Sequence, residues 1–263
     1  MTIRHLPASH TAASPIHGRL AVLLALILAA SSAPALSQVA PLITDRPDFT
    51  ESAAAVPVGS FQFEGGLTFE DSGVDALIFG EPLIRYGLRE RLELRFGLPS
   101  IVSLDDPVDD TGLSDLSVGF KLELPPTSTA WDMAVIGTLS LPTGSDNFTS
   151  DTIDPSAIFV ASRDISDRLS FATQARGAIE GDDNDAVLEA TAVFGYALRE
   201  NLGGFAEIAT RFQDNVDTGV TLHTGVSSLI KELLQVDVHL GFGLTDTAPD
   251  FFIGAGLSYR LDR

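Results

Sequence analysis

The sequence of 263 residues has no cysteine and is poor in basic residues. Without cysteine the chain can form neither disulfides nor metal and redox sites built on thiolates. Lysine and arginine together number 16 against 36 aspartates and glutamates, which gives a formal net charge of −20. A surface of that sign repels a phosphate backbone, so nucleic acid is excluded as a partner.

The sequence also lacks an apolar run long enough for a transmembrane helix. Its longest run, residues 20–30, spans eleven residues, whereas a bilayer requires about 20. The run follows Arg4 and Arg19 and precedes the small residues at 31–37, an order typical of a secretory signal. We therefore expect residues 1–37 to be a cleaved signal peptide and the mature protein to be exported.

From residue 61 onward apolar and polar residues alternate one for one. In residues 251–261, Ile253 and Leu257 fall on one face while Ser258 and Arg260 fall on the other. Strand side chains alternate in this way. About a dozen such segments, each about ten residues long, are typical of a transmembrane β-barrel. We predict an all-β fold in which residues 61–261 form an antiparallel barrel of about 12 strands, with 10 to 14 possible.

The connections between the predicted strands differ in length and charge. Alternate connections are short and most of them carry arginine or lysine, whereas the others are mostly longer and acidic. This is the arrangement of short periplasmic turns and longer outer loops. The acidic outer loops include Asp105, Asp106, Asp109 and Asp110. Their oxygens suit calcium, but the spacing is wrong for a defined binding loop, so we predict no metal site.

Charged residues on the inward faces are the candidate lumen and selectivity residues. They carry both signs in near balance, so they would either orient a passing solute or form a network that fills the barrel. The set is Glu64, Arg85, Glu93, Arg95, Lys121, Glu123, Arg176, Glu189, Glu207, Arg211, Asp237, His239 and Arg260.

Residues 38–60 precede the first predicted strand as a periplasmic or lumen-plugging segment, and within it the stretch 44–51 is too polar to lie in lipid. If this stretch folds into the lumen, Asp45, Arg46, Asp48 and Glu51 would meet the charged wall. We interpret these four residues as a candidate plug or gate. The alternative is a periplasmic tether that docks beneath the barrel.

Five segments resemble one bacterial outer-membrane family. They are ITDRPDFTES (43–52), VPVGSFQFE (56–64), EPLIRYGLRERLELR (81–95), GLSDLSVGFK (112–121) and LPTGS (141–145). The chain is similar to the outer-membrane transporters labelled "MetA-pathway of phenol degradation". The resemblance implies a barrel transporter loosely linked to aromatic catabolism, and it implies no catalytic residues.

Motifs for catalysis are lacking. Only His223 and His239 lie beyond the predicted signal, and there is neither Gly-x-Ser-x-Gly nor His-Glu-x-x-His. His239 and Asp237 would point inward from one strand, where a polar network is the simpler interpretation. We expect no enzyme activity and no cofactor.

These observations predict a channel for passive uptake of small solutes, with aromatic compounds as candidates. We expect it in the outer membrane of a Gram-negative-type bacterium, in contact with lipid and lipopolysaccharide, and inserted by the barrel-assembly machinery. One alternative is a closed structural or adhesive barrel whose acidic loops bind cations, lipopolysaccharide or a partner. Another is a soluble secreted β-sandwich. The solute and the oligomeric state stay open.

Overall fold

Fourteen β-strands carry the alternating segments of the sequence in a computed structural model that describes residues 40–105, 110–126, 130–181 and 183–263. The predicted signal peptide, as well as Asp106 and Asp109, lies outside the described residues. The strands are β1 (Phe61–Asp71), β2 (Asp75–Arg89), β3 (Leu92–Gly97), β4 (Ile101–Asp105), β5 (Asp110–Leu113), β6 (Leu116–Glu123), β7 (Asp132–Leu141), β8 (Asp154–Ser166), β9 (Leu169–Glu180), β10 (Asp185–Arg199), β11 (Leu202–Gln213), β12 (Val216–Lys231), β13 (Leu234–Gly243) and β14 (Phe251–Leu261).

Neighbouring strands pair antiparallel around a closed ring, because β1 pairs with both β14 and β2. At two positions in this ring, two short strands take the place of one long strand. β3 pairs with one half of β2 and β4 with the other half, while β6 pairs with β3 and β5 with β4. The fourteen strands therefore occupy twelve strand positions around the barrel, which confirms the predicted antiparallel barrel of about 12 strands.

The hairpin of β4 and β5 occupies part of a stretch, residues 99–114, that the alternation assigns to an outer loop. The reason is the length of β2, which has 15 residues where β3 has only six. Ile101 pairs with Phe79 and Leu104 with Ala76. β4 continues the strand position of β3 and supplies hydrogen bonds to the half of β2 that β3 does not reach. That half would otherwise be left without a partner on this side.

The two faces of each strand have opposite character. On β13, Val236 and Val238 are exposed on the outside, whereas Asp237 and His239 are buried on the inside. The largest fully buried side chains include Arg85, Lys121 and Arg260. An apolar exterior around a polar interior suits a barrel surrounded by lipid. Among the described residues, helices of the length and apolarity that a membrane span requires are not found.

A bulge in β2 shifts which residues face inward. Phe79 and Leu88 are both exposed outside although one is odd-numbered and the other even-numbered. The shift falls at Glu81, whose φ of 41° lies in the left-handed region, and the pairing with β1 is irregular between Glu64 and Gly66. An extra residue at a bulge reverses the alternation. It also directs Glu81 towards the interior, where it accepts a hydrogen bond from Thr68.

Residues 41–60, which we call the luminal segment, run inside the barrel before β1 begins. At one end Arg260 donates to the carbonyl of Pro41 over 2.7 Å. At the other end Val58 forms a parallel bridge with Gly87, and the amide of Gly59 donates to the Gly87 carbonyl over 2.8 Å. Both ends of the luminal segment thus lie at the barrel end that holds Phe61 and Leu261, here called the terminus end.

Candidate channel lumen

A cluster of opposite charges fixes the luminal segment to the wall formed by β2, β3 and β6. Asp45 accepts hydrogen bonds from Arg95 over 2.5 Å and from Lys121 over 2.7 Å. Its carboxylate also lies 3.1 Å from Arg85. The Asp45 side chain is only 4% exposed, and those of Arg85 and Lys121 are fully buried. We call this group, with Glu51, Glu64 and Glu93, the base cluster.

Arg85 is the centre of the base cluster on the wall side. Its guanidinium donates to both oxygens of Glu93 over 2.9 and 3.0 Å and to Glu64 over 2.9 Å. It also donates to the carbonyl of Ala54 over 3.0 Å. The fork geometry of arginine allows several acceptors to share one cation. Wall and luminal segment therefore complete each other's hydrogen bonding.

The turn of the segment closes on itself above the base cluster. Ser52 donates from its amide and its hydroxyl to Asp45, over 2.9 and 2.6 Å. Residues 45–52 thus form a short loop that projects into the lumen. Glu51 on this loop receives two hydrogen bonds from Arg95, over 3.0 and 2.9 Å.

The tip of the loop crosses to the opposite wall and binds a single carboxylate. The amides of Phe49 and Thr50 each donate to Glu207 over 2.9 Å, and the Thr50 hydroxyl donates to it over 2.6 Å. The amide of Glu51 donates to Gln174 over 2.8 Å. We call Phe49, Thr50 and their partner Glu207 the tip contact. The segment thus spans the lumen from β3 to β11.

Two histidines extend the tip contact along the wall. Nδ1 of His223 lies 2.9 Å from Glu207, and Nε2 of His223 lies 3.1 Å from Nδ1 of His239. The Phe49 ring packs on His223 with centroids 4.3 Å apart and on Phe252 at 5.6 Å. Because both nitrogens of His223 are occupied, this ring fixes Glu207 in the position that receives the tip.

Within the described part of the chain, cavities border the luminal segment on several sides. One of about 720 Å³ opens among the terminus-end residues of β8 to β11. A second of about 390 Å³ lies towards the far end, and a third of about 260 Å³ lies between Leu83, Arg95 and Ser156. Glu51 lines all three cavities. The loop of the luminal segment is therefore the part that separates the terminus-end space from the far-end space.

Two arginines and two glutamates beside the second cavity form a ring of four ion pairs with no net charge, which we call the far-end square. Arg176 donates to Glu180 over 2.8 Å and to Glu189 over 3.0 Å. Arg211 donates to the same two carboxylates over 2.7 and 2.6 Å. Arg176, Glu189 and Arg211 line the cavity. Each charge has two partners of opposite sign, and unlike the base cluster these side chains are partly exposed.

Burial shifts the pKa values of the three carboxyls on the loop in different directions. Burial alone would raise the pKa of Asp45, but Arg85, Lys121 and Arg95 outweigh it and hold that pKa well below the ordinary range. Burial raises the pKa of Glu51 to about 7, with Arg95 opposing the shift. Burial and then the neighbouring Glu207 raise the pKa of Asp48 well above its usual value. Asp45 is thus the ionised anchor, while Glu51 and Asp48 bind protons more readily.

Ten of the thirteen predicted lumen residues fall into three groups. Glu64, Arg85, Glu93, Arg95 and Lys121 lie in the base cluster; Glu207 and His239 lie at or behind the tip contact; and Arg176, Glu189 and Arg211 lie in the far-end square. Asp237 pairs with Arg46 at 3.3 Å, Glu123 accepts from the amide of Ala55 over 3.3 Å, and Arg260 pairs with Asp262 at 2.7 Å.

Sequence reasoning missed several lumen residues that carry no full charge. His223, Gln174, Thr191 and Gln62 are buried on the inner face. The alternation of side chains along a strand identifies such residues. On β12, Leu222 and Val226 are exposed on the outer face, so His223 lies on the inner face. Glu81 was missed because the bulge reverses that parity. Across the described part of the chain, three or more acidic or histidine side chains do not gather in an arrangement that could hold a metal ion.

The sequence profile of the family labelled "MetA-pathway of phenol degradation" matches residues 44–261. The chain belongs to this family. The match begins at Thr44, so the loop of the luminal segment and the whole barrel lie within it. The resemblance read from the sequence is confirmed. A search of curated proteins finds no match to the chain.

Solved structures that are similar to this chain include an outer-membrane channel and a porin. An outer-membrane channel from Pseudomonas putida F1 superposes with a TM-score of 0.58 at 14% identity, covering 83% of this chain and 100% of the other. The NanC porin superposes with a TM-score of 0.54 at 10% identity, covering 76% of this chain and 100% of the other. At such identities the likeness establishes the fold.

Proposed function

We propose that the protein is an outer-membrane channel for passive uptake of small solutes, and that the luminal segment controls passage. The observation that supports this most directly is the position of the loop of residues 45–52 between cavities at the two ends of the barrel. The fold is shared with an outer-membrane channel and a porin. The apolar exterior fits contact with lipid and lipopolysaccharide, and export with insertion by the barrel-assembly machinery fits the predicted signal.

The far-end square is the proposed selectivity region. Arg176, Glu189 and Arg211 line the second cavity with partly exposed charges, so a passing ion meets both signs there. Arg85 and Lys121 are fully buried in the base cluster, so their role in this proposal is to hold the segment. The phenol-degradation label of the family supports aromatic compounds as solutes, and Phe49 presents a 44% exposed residue to the same cavity. Catalysis has no part in the proposal.

Single-channel conductance in a planar bilayer tests the channel. The variants are wild type and a deletion of residues 44–51, each confirmed as folded by heat-dependent gel mobility. If the loop obstructs the lumen, the deletion gives larger or longer-lived openings than wild type. A deletion of residues 145–149 in the connection between β7 and β8 is the control, because it shortens the chain and leaves the luminal segment unchanged.

A second candidate is a closed structural barrel. It is favoured by the mutual pairing of the lumen charges in the base cluster. Buried ion pairs of this kind are as much structural as functional. Silence from both the wild type and the folded deletion variant would reject the channel and support the closed barrel.

A further inference from the structure

We infer that the luminal segment is a proton-dependent gate: proton binding to Glu51 and Asp48 holds its loop against the wall, and loss of those protons releases it. The inference rests on the proposed channel function, but it concerns the movement of the loop and can fail separately. It is supported by the number of carboxyl and basic groups, and by their positions, where the luminal segment contacts the barrel wall.

The base cluster contains one more carboxyl than it has cations. Its acids are Asp45, Glu51, Glu64 and Glu93, and its cations are Arg85, Arg95 and Lys121. A buried unbalanced charge is costly, and such a site takes up a proton instead. One bound proton makes this cluster neutral.

Glu51 is the carboxyl best placed to receive that proton. Its side chain is 20% exposed, whereas those of Asp45, Glu64 and Glu93 are at most 4% exposed. It also lies within hydrogen-bonding reach of the Asp45 carboxylate, with which a proton can be shared. The shift of the Glu51 pKa to about 7 agrees with this position.

A second carboxyl lies beside the tip contact. Asp48 directly precedes Phe49, whose amide donates to the buried Glu207 on β11, and Glu207 contributes to the raised pKa of Asp48. Glu207 is already bound by the amides of the tip and by His223, which lies against His239 on β13. Ionisation of Asp48 therefore places a second negative charge beside the carboxylate that holds the tip.

Other charged groups around Glu51 do not reverse the sign of the effect. Asp45 and Asp48 lie on its own segment, and the groups on the barrel are Glu64 on β1, Arg85 on β2, Glu93 and Arg95 on β3, Lys121 and Glu123 on β6, Arg176 on β9, Glu189 on β10, and Glu207 and Arg211 on β11. Asp45 titrates far below Glu51 because its pKa is depressed. The arginines stay charged near neutrality, and Lys121 donates to both oxygens of the Asp45 carboxylate.

The direction of the pH dependence follows from linkage. Glu51 has a raised pKa in the bound loop and the ordinary value of 4.5 when released into water. The bound state thus holds more protons between these values, so its advantage is complete below about pH 4.5 and is lost as the pH rises through about 7. Asp48 acts with the same sign. We expect the gate to be shut at acidic pH and released at alkaline pH.

A single cysteine reports the movement, since the natural chain has none. Ala53 is 4% exposed and packs against Ala134 and Val160 of the barrel wall. In the full-length folded barrel, the maleimide reaction rate of Ala53→Cys should rise roughly tenfold between about pH 5.5 and 8. Rates are divided by those of Ser72→Cys in the exposed turn after β1, which removes the titration of the thiol itself.

The decisive variant is Glu51→Gln in the Ala53→Cys background. The amide imitates the protonated acid, so the thiol should stay protected at both pH values, and Asp48→Asn should reduce the pH response in the same direction. If Glu51 serves only as an ion-pair partner of Arg95, the substitution instead loosens the loop and raises labelling at every pH. That result, or a flat profile in the wild type, overturns the inference. Asp146→Asn in an exposed loop is the control that should change nothing.

Conductance measured on the same proteins separates the two proposals. Openings that do not respond to pH, together with flat labelling, leave the channel standing and reject the gate. Labelling that follows pH while even the variant lacking residues 44–51 is silent rejects the channel and keeps the proton-dependent movement.

Discussion

One carboxylate, that of Glu207, receives most of the hydrogen bonds that hold the tip of the luminal segment. The Thr50 hydroxyl contributes one of them, over 2.6 Å, and also lies 2.5 Å from the hydroxyl of Thr191. Thr50→Val keeps the shape but removes this donor. A hydrogen bond to a charged group contributes about 1.5 to 3 kcal/mol, so the released loop should become roughly 10 to 100 times more populated.

Chymotrypsin cleavage after Phe49 measures this population in the folded barrel, because the peptide is cut only when the loop leaves the wall. The control is Thr224→Val, which removes a hydroxyl that donates to the Phe205 carbonyl from an exposed position. Equal cleavage rates for the two variants would show that the Thr50 hydroxyl does not hold the tip.

At the scale of elements, the connection between β7 and β8 depends on an aspartate that lies far away in the sequence. Asp115 accepts from the amides of Thr143 and Gly144 over 2.9 and 2.8 Å and from the Thr149 hydroxyl over 2.6 Å. These bonds outweigh the effect of burial and lower the pKa of Asp115. The order of this loop should therefore persist above the ordinary carboxyl pKa and be lost as pH falls through the depressed value.

Asp115→Ala should release residues 142–153 while the barrel stays intact. The expected result is at least about tenfold faster proteolysis within this connection, from the loss of several hydrogen bonds to a charged acceptor, with unchanged heat-dependent gel mobility. Asp146→Ala in the same connection provides the comparison, since Asp146 is exposed. Similar proteolysis of both variants would mean that Asp115 does not order the loop.

The strands could be predicted because their alternation is local. β9, Leu169–Glu180, is one of the segments that carry this alternation. β4 and β5 could not be predicted in this way, because β4 exists through pairing with the far half of β2 and β5 through pairing with β4. The base cluster was equally inaccessible, since Asp45 meets Arg95 and Lys121 across 50 and 76 residues. The alternation of residues along each strand identified which charged side chains point inward. Which of them form ion pairs depends on the register between strands and on the path of the luminal segment.

At the scale of the whole molecule, the distribution of apolar side chains defines a band around the barrel. Val238 lies midway along β13 and is 47% exposed, while Leu244 lies just beyond its far end and is 58% exposed. If the band meets lipid, the cost of a charge should depend on depth and not on exposure. We expect Val238→Lys to lower the free energy of unfolding by about 2 to 4 kcal/mol and Leu244→Lys by about 1 kcal/mol or less.

Urea unfolding from lipid vesicles, followed by tryptophan fluorescence of Trp131, gives both values. The same pair measured in detergent micelles is the control, because a micelle adapts to a charged side chain more easily than a bilayer does. A larger cost at Val238 than at Leu244 in vesicles places the middle of β13 at the centre of the membrane. Equal costs in vesicles would contradict this placement, because two similarly exposed side chains differ only where the solvent around them changes from hydrocarbon to water.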